Sequence, residues 1–211
     1  MKDIPVFTTE YGVASLALSQ LPERKEAYIH IRDVQPENLE ALLSECADFC
    51  RMCGAERIYA TGAELASYPE QCVIYEMQGR PECDGKEAML FPVTEQNVSR
   101  WRQLYNEKMQ TVDHAAVLRF FDEKRLIAAE AYFIHQDREL LGIGWREGEK
   151  LLAMASMKPG AGETVLKTLY QMQEGKTMVL EVASTNEKAI RLYERLGFVK
   201  TKQLRKWHQI R

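Results

Sequence analysis

The chain has 211 residues, enough for one large or two small domains, and 45% of them are hydrophobic, which is ample for a packed core. The formal net charge is −3 with a pI near 5.9, which argues against a broad nucleic-acid-binding surface. The sequence has no run of about 18 apolar residues and no signal-peptide pattern at its start. We therefore expect no membrane span and a cytoplasmic location, which the odd number of cysteines also fits.

The first third of the chain reads as strands around one helix. Tyr11–Leu21 alternates as a strand does, and Ala27–Val34 predicts a second strand. Pro36–Cys53 has helical periodicity, and Arg57–Thr61 predicts a third strand. These elements predict an α/β segment.

Three cysteines of the predicted helix are candidate metal ligands. Cys46, Cys50 and Cys53 lie along one apolar helical face, whereas structural zinc usually takes four ligands, often with one pair on a turn. Buried cysteine behaves as a small hydrophobe, so core packing is the favoured interpretation. The four histidines are isolated in the sequence, and we predict no metal site.

A stretch rich in glycine, proline and charge follows at 78–85 and is typical of a linker. We therefore predict two segments, residues 1–86 and residues 87–211.

The second segment reads as a helix, three strands and a helix. Thr94–Thr111 has the apolar spacing of an amphipathic helix, and Ala128–His135 and Leu140–Trp145 read as two strands joined by a turn. Lys150–Met157 predicts a third strand, and Thr164–Gln173 a helix.

A strand, a turn and a helix close this series. Met178–Ala183 is apolar except for Glu181, and Asn186 ends a Ser-Thr-Asn run of preferred helix caps. The following helix carries Tyr193 on its apolar stripe and stops at Gly197. By spacing alone, such a tyrosine is usually a core residue and such a glutamate usually lies at a sheet edge.

The last strand and helix together carry a longer pattern, Leu-x-Val-x-x-x-Asn-x-x-Ala-x-x-x-Tyr-x-x-x-Gly-Phe. Its residues here are Leu180, Val182, Asn186, Ala189, Tyr193, Gly197 and Phe198. The pattern resembles the C-terminal motif of the GCN5-related N-acetyltransferase (GNAT) superfamily, and most closely that of the subgroup acetylating protein N-termini, such as the ribosomal-protein-alanine type. The resemblance extends over the predicted elements from roughly Met89 onward. It implies an α+β or α/β fold with a mixed central sheet flanked by helices.

The resemblance also implies a loop for acetyl-CoA. That loop has the form Gln/Arg-x-x-Gly-x-Gly/Ala in the superfamily, and its main-chain amides bind the diphosphate. The matching residues here are Met157, Lys158, Pro159, Gly160, Ala161 and Gly162. Met157 replaces the usual Gln or Arg, Lys158 offers a positive charge, and Glu163 lies next to the expected phosphate position.

Roles for the polar residues follow from the resemblance. Glu181 is expected to accept the proton of the amine, and Tyr193 to donate one to the coenzyme A sulfur. Asn186 is expected to hold the pantetheine arm or a water molecule, with main-chain amides around Met157 polarising the thioester carbonyl. Other candidate bases are Glu130, His135 and Glu139.

The first segment repeats the order strand, proline, helix, glycine, strand, with 33–61 similar in length to 156–184. It is either a degenerate copy of the GNAT half-fold or an instance of the common β-α-β unit.

These observations predict an acetyl-CoA-dependent N-acetyltransferase that acts on a primary amine, either a small molecule or a peptide N-terminus. A non-catalytic GNAT domain that binds a ligand or partner is the alternative, and transfer of a longer acyl group is a third possibility. The protein is expected to be a monomer or a homodimer.

Overall fold

The computed structural model describes residues 2–62, 65–83, 88–173 and 175–210. These residues form eleven strands and six α-helices, and short 3-10 helices at Pro36–Asn38 and Phe120–Asp122 precede the second and fourth α-helix. The strands are β1 (Ile4–Thr8), β2 (Gly12–Ala17), β3 (Glu26–Val34), β4 (Arg57–Thr61), β5 (Glu70–Gly79), β6 (Met89–Pro92), β7 (Glu130–Gln136), β8 (Glu139–Glu147), β9 (Lys150–Ser156), β10 (Met178–Ala183) and β11 (Val199–Gln209). The helices are α1 (Leu21–Arg24), α2 (Leu39–Met52), α3 (Val98–Met109), α4 (Glu123–Ala128), α5 (Gly162–Gln171) and α6 (Glu187–Arg195).

The chain divides into two compact units. Unit 1 consists of Met1–Val73 and Arg205–Arg211, and unit 2 consists of Ile74–Leu204. The chain therefore passes from one unit to the other twice, once within β5 and once within β11. The predicted segment boundary between residues 86 and 87 lies outside the described residues, and that division stays a prediction.

The sheet of unit 1 is mixed. Strands β1, β2 and β3 pair antiparallel, and β3 pairs with β4 in parallel. The end of β11 pairs antiparallel with β4, where His208 lies opposite Ala60. The parallel pair needs a crossover, and α2 supplies it.

The core of unit 1 lies between this sheet and α2. Cys46 and Cys50 are fully buried there, among residues such as Leu42, Ile29 and Ile58, and Cys53 packs at the margin. Burial raises the pKa of the Cys46 thiol to about 11 and that of Cys50 to about 12. The prediction that these cysteines are core residues is confirmed. Among the described residues, no three His, Cys, Asp or Glu side chains are grouped as a metal would require.

The sheet of unit 2 has the strand order β5-β10-β9-β8-β7-β6. Its neighbouring strands pair antiparallel, apart from the parallel pair of β9 and β10. Helix α5 forms the crossover between these two strands. The first part of β11 lies beside β5, where the Thr201 hydroxyl contacts Glu76.

Helices cover both faces of the unit 2 sheet. Apolar residues of α5 and α6 pack with Leu180 and Val182 of β10 on one face. Apolar residues of α3 and α4 pack with β7, β8 and β9 on the other. The predicted architecture, a mixed sheet flanked by helices, is confirmed. Among the described residues, no helix is long and apolar enough to cross a membrane.

Glycines in β8 allow α5 to approach the sheet closely. A Cβ atom on Gly142 would lie 2.5 Å from Val165 Cγ2 and 2.7 Å from the main-chain oxygen of Ala155. A Cβ on Gly144 would lie 2.4 Å from Leu169 Cδ1. The absence of side chains at both positions therefore sets the depth at which α5 packs.

Several elements differ from the sequence-based expectation. Strands β1, β5 and β6 and helices α1 and α4 were not predicted, and β5 extends into the stretch that was predicted as a linker. The residues after Phe198 form one long strand. Helix α5 begins at Gly162 instead of Thr164, which brings its first turn into the predicted cofactor loop.

We predict that Gly142→Ala destabilises the protein more than Gly144→Ala. The added methyl group at Gly142 meets a main-chain oxygen, which cannot move aside, whereas at Gly144 it meets the end of a leucine side chain. Overpacking of this kind costs about 1–3 kcal/mol. Urea unfolding of both variants measures the difference, and an equal loss of stability in the two would contradict the close approach at Gly142.

Candidate acyl-transfer site

The two parallel strands of unit 2 separate along their length. Strand β10 pairs with β9 at Val179 and Leu180, opposite Lys150 and Leu151, although both strands continue further. Main-chain polar groups need hydrogen-bond partners, so strand edges that part from each other leave groups able to bind another molecule. In unit 1, by contrast, β3 and β4 pair at five successive positions. A gap between parallel strands is thus a feature of unit 2.

At the end of β9, main-chain N–H groups point alternately toward β8 and toward β10. The N–H of Met157 donates to the carbonyl oxygen of Leu141 on β8 at 2.7 Å, so it is already satisfied. The N–H groups of successive residues in a strand point to opposite sides. Ser156 precedes Met157 and lies opposite Gly142 of β8, in a pair without mutual hydrogen bonds. The N–H of Ser156 therefore points to the side of β10. Of the amides around Met157, this one faces the gap.

The predicted cofactor loop leads directly into α5. Gly160 has a φ of +82°, which a side chain would strain, and Ala161 is the N-cap without a side-chain cap. The first helical bond runs from the N–H of Val165 to the carbonyl of Ala161. The amides of Gly162 and the next two residues therefore have no partner within the helix, and such amides bind anions.

Charged side chains surround this helix start. Lys158 forms an ion pair with Glu139 of β8, so its charge is already compensated. Glu163 lies in the first turn of α5, where Lys167 Nζ is 3.0 Å from its Oε1 and Arg195 Nη2 is 3.6 Å from its Oε2. The Glu163 carboxylate, which the sequence predicts next to the phosphate position, is thus compensated by two cations.

Glu181 is the first residue of β10 beyond its pairing with β9. Its neighbours Leu180 and Val182 pack against α5 and α6, so the exposed Glu181 side chain projects from the opposite face of the sheet. Its direct partner on β5 is Glu76. Two carboxylates therefore lie side by side at the point where the strands part.

Glu76 was missed by the sequence reasoning. The Thr201 hydroxyl donates to its Oε1 at 2.9 Å and Gln78 Nε2 donates at 2.8 Å, with Lys202 Nζ at 3.8 Å. The hydrogen bonds from Thr201 and then Gln78 lower the pKa of the Glu76 carboxyl. One signal could have identified Glu76: like Glu181, it is a single glutamate within a run of apolar residues.

Tyr193 lies on the other side of β10. It is buried against α5 and the strand, with its ring centroid 5.8 Å from that of Phe198. Among the described residues, no hydrogen bond to its hydroxyl is found, and burial raises its pKa to about 12. Glu181 and Tyr193 thus approach β10 from opposite faces.

Asn186 caps α6. Its side-chain oxygen accepts a hydrogen bond from the N–H of Ala189 at 3.3 Å. The amide nitrogen of the Asn186 side chain is not used in this cap, so it can donate to another molecule.

The alternative bases have other surroundings. Glu130 lies 3.6 Å from the buried Arg146, and Glu139 is paired with Lys158. His135 packs edge-on against Phe91, with ring centroids 5.1 Å apart. Glu139 thus lies beside the loop that follows β9, where Lys158 occupies its carboxylate, whereas Glu130 and His135 lie on β7, two strands away from β9.

Comparisons with known proteins agree with this architecture. Residues 158–207 match the family model described as FR47-like protein, which is related to the GCN5-related N-acetyltransferases. A GCN5-related N-acetyltransferase from Sphaerobacter thermophilus is 16% identical, with a TM-score of 0.59, covering 93% of this chain and 75% of that one. A second such protein, from Anabaena variabilis, is 12% identical, with a TM-score of 0.61 and coverage of 98% and 58%. A functionally unknown protein from Staphylococcus epidermidis is 9% identical, with a TM-score of 0.60 and coverage of 99% and 94%. The search of curated proteins found no match.

The buried phenol leads to a prediction about alkaline stability. The folded state keeps Tyr193 neutral up to a pKa of about 12, whereas the unfolded chain ionises it near 10.0. The contribution of the neutral phenol to the free energy of unfolding is therefore complete below pH 10 and declines as the pH rises toward 12. Relative to Tyr193→Phe, the wild type should lose about 1 kcal/mol between pH 9 and pH 11, measured by urea unfolding. Parallel stability curves for the two proteins would show that the phenol is not buried.

Proposed function

We propose that this chain, which has the fold of the GCN5-related N-acetyltransferases, transfers an acetyl group from acetyl-CoA to a primary amine. The acceptor is a small molecule or a peptide N-terminus. The observation that carries the proposal is the parting of β9 and β10 beside Glu181, next to the uncapped start of α5. The subgroup that acetylates ribosomal-protein alanine is the more specific hypothesis, and it rests on the Glu181 and Tyr193 spacing.

The start of α5 fits the diphosphate of acetyl-CoA. Gly160, Ala161 and Gly162 bring the main chain into an uncapped first turn, whose free amides favour an anion. Met157 has no charge to contribute and Lys158 is engaged by Glu139, so binding there relies on the main chain. The pantetheine arm would then run along the gap, which the Ser156 N–H faces, and the Asn186 side-chain amide would donate to it.

The proposed roles of Glu181 and Tyr193 follow from their positions on opposite faces of β10. The amine arrives as an ammonium ion, and Glu181 accepts its proton on the face opposite α5 and α6. The amine nitrogen then attacks the thioester carbon, and the N–H of Ser156 stabilises the carbonyl oxygen as it gains charge. The C–S bond breaks, and Tyr193, whose raised pKa keeps it protonated, gives its proton to the sulfur. The nitrogen loses its second proton to the resulting tyrosinate, and Glu181 releases the first proton to solvent. The products are an N-acetylated amine and free coenzyme A.

Glu181 is a better candidate for the base than Glu76. Glu76 has two hydrogen-bond donors that stabilise its ionised form, and this lowers its tendency to take a proton. The neighbouring Glu181 side chain is exposed at the strand parting. We therefore assign proton acceptance to Glu181, and Glu76 remains a charged neighbour.

Calorimetric titration of the full chain with acetyl-CoA, beside coenzyme A, tests the proposal first. Saturable binding in the micromolar range is expected. Absence of binding at millimolar ligand would instead favour a domain that binds another partner without catalysis.

Substitution of the two carboxylates and the tyrosine tests the chemistry. Release of free coenzyme A thiol, measured against a panel of primary amines and peptides with a free N-terminal alanine, should fall at least about 100-fold in Glu181→Gln and in Tyr193→Phe. Acetyl-CoA affinity should change little in either. Glu76→Gln is the matched control and should retain most of the turnover. A large loss in Glu76→Gln with full activity in Glu181→Gln would transfer the role of base to Glu76.

Asn186 can be tested separately for its two roles. Asn186→Ser preserves a helix cap and should retain stability, whereas Asn186→Ala should lose about 1 kcal/mol in urea unfolding. Both variants lack the side-chain amide, so both should bind acetyl-CoA more weakly. Wild-type affinity in Asn186→Ser would remove Asn186 from the cofactor site.

A further inference from the structure

A buried arginine links the end of α5 to the turn between β8 and β9. We propose that Arg146 and Gln173 are positioning residues for the candidate site, because together they fix α5 relative to the strands from which the gap opens. The inference rests on the proposed function, since it concerns how one cofactor reaches both the gap and the start of α5.

Arg146 lies on β8, and only 3% of its surface is exposed. Its Nη1 donates to the carbonyl oxygen of Leu169, near the end of α5, at 3.1 Å. Its Nη2 donates to the carbonyl oxygen of Gly148, in the turn that leads into β9, at 2.9 Å. The last four carbonyls of a helix have no partner within it, and a cation is favoured there. One planar guanidinium therefore joins the helix to the turn.

Gln173 makes a second link between the same two parts. It follows α5 and is also only 3% exposed. Its Nε2 donates to the carbonyl oxygen of Glu149 at 3.2 Å and to that of Gly148 at 3.5 Å. The Glu149 carbonyl also accepts from the N–H of Val179 on β10, at 2.9 Å. The turn is therefore tied to α5 by two side chains and to β10 by the main chain.

These links lie at the closed end of the gap. Strands β9 and β10 pair at Val179 and Leu180, next to the turn, and part at Glu181. So short a pairing constrains the direction of two strands weakly, and the links around it matter the more. The glycines of β8 set how deeply α5 packs, whereas Arg146 and Gln173 oppose sliding of the helix along the sheet.

The cost of burying these groups points to a role in positioning rather than in stability. Arg146 Nε and Gln173 Oε1 are buried, and neither has a hydrogen-bond partner among the residues that the structure describes. The Glu130 carboxylate lies 3.6 Å from the guanidinium. A buried charge of this kind is costly, and apolar side chains in its place often stabilise a protein. Polar groups at this point therefore favour a function for the defined position of α5.

Loss of either link should weaken a ligand that spans α5 and the gap. In the proposed function coenzyme A contacts both, whereas pantetheine has no diphosphate and contacts the gap alone. Arg146→Met and Gln173→Met keep apolar bulk but cannot donate to the turn. We expect each to weaken coenzyme A binding by about three- to tenfold, while the affinity for pantetheine changes by less than about twofold.

Calorimetric titration of the full chain with coenzyme A, and displacement of bound coenzyme A by pantetheine, measure the two affinities. Urea unfolding first shows that each variant is folded in the titration buffer. Arg146→Lys keeps the charge beside Glu130 but loses the planar fork, so it should fold and show an intermediate loss. If Arg146→Met does not fold, Arg146→Lys and Gln173→Met decide the outcome.

Asn106→Ala is the matched control. Asn106 of α3 also makes two hydrogen bonds to the main chain, to the N–H and the carbonyl oxygen of Leu118. Helix α3 packs on the face of the sheet opposite α5. The control should therefore lose stability and bind both probes as the wild type does.

The outcomes distinguish this inference from the proposed function. A loss of coenzyme A affinity with little change for pantetheine supports the positioning role. Wild-type coenzyme A affinity in the folded Arg146 and Gln173 variants overturns the inference and leaves the proposed function standing. An equal loss for both probes, or the same pattern in Asn106→Ala, overturns it as well, since the effect would not arise from the position of α5. Failure of the wild type to bind coenzyme A overturns both.

Discussion

The separation of two parallel strands is the constraint on which the candidate site depends. Main-chain amides in a sheet normally satisfy one another, and the pairing of β9 with β10 ends after Leu151 and Leu180. Beyond that point each strand presents polar groups to the gap between them. Glu181 lies where the gap opens, so the chemistry proposed for this chain begins at the residue where ordinary sheet pairing ends.

Glycines, which have no side chain, allow the helices around the gap to pack closely. Gly142 and Gly144 allow α5 to pack directly on β8, and Gly162 allows its first turn to touch α6. These contacts fix where the free amides of α5 lie relative to the end of β9. Unit 1 has the same alternation of strands and crossover helix, but its parallel strands β3 and β4 stay paired along five positions. A shared topology therefore does not imply a shared gap between parallel strands.

Local patterns in the sequence predicted the elements that line the site. The contacts between those elements depend on pairing between distant strands, which the sequence did not reveal. The cap at Asn186, the glycine stop at Gly197 and the apolar run at Met178–Ala183 identified β10 and α6, since each depends on neighbouring residues alone. Glu76 was missed because it lies about a hundred residues earlier in the chain, and only strand pairing brings it opposite Glu181. The occupied N–H of Met157 was missed for the same reason, because its partner Leu141 belongs to another strand.

The two crossings of the chain between the units affect how this protein can be divided. Unit 2 takes part of β5 from the first half of the chain, and unit 1 takes the last residues of β11 from the opposite terminus. A fragment that began after β5 would leave β10 without its antiparallel neighbour and expose an unpaired edge prone to aggregation. A fragment that ended before β11 would remove the strand that pairs with β4. Neither half of the sequence therefore contains all the strand residues of one unit's sheet.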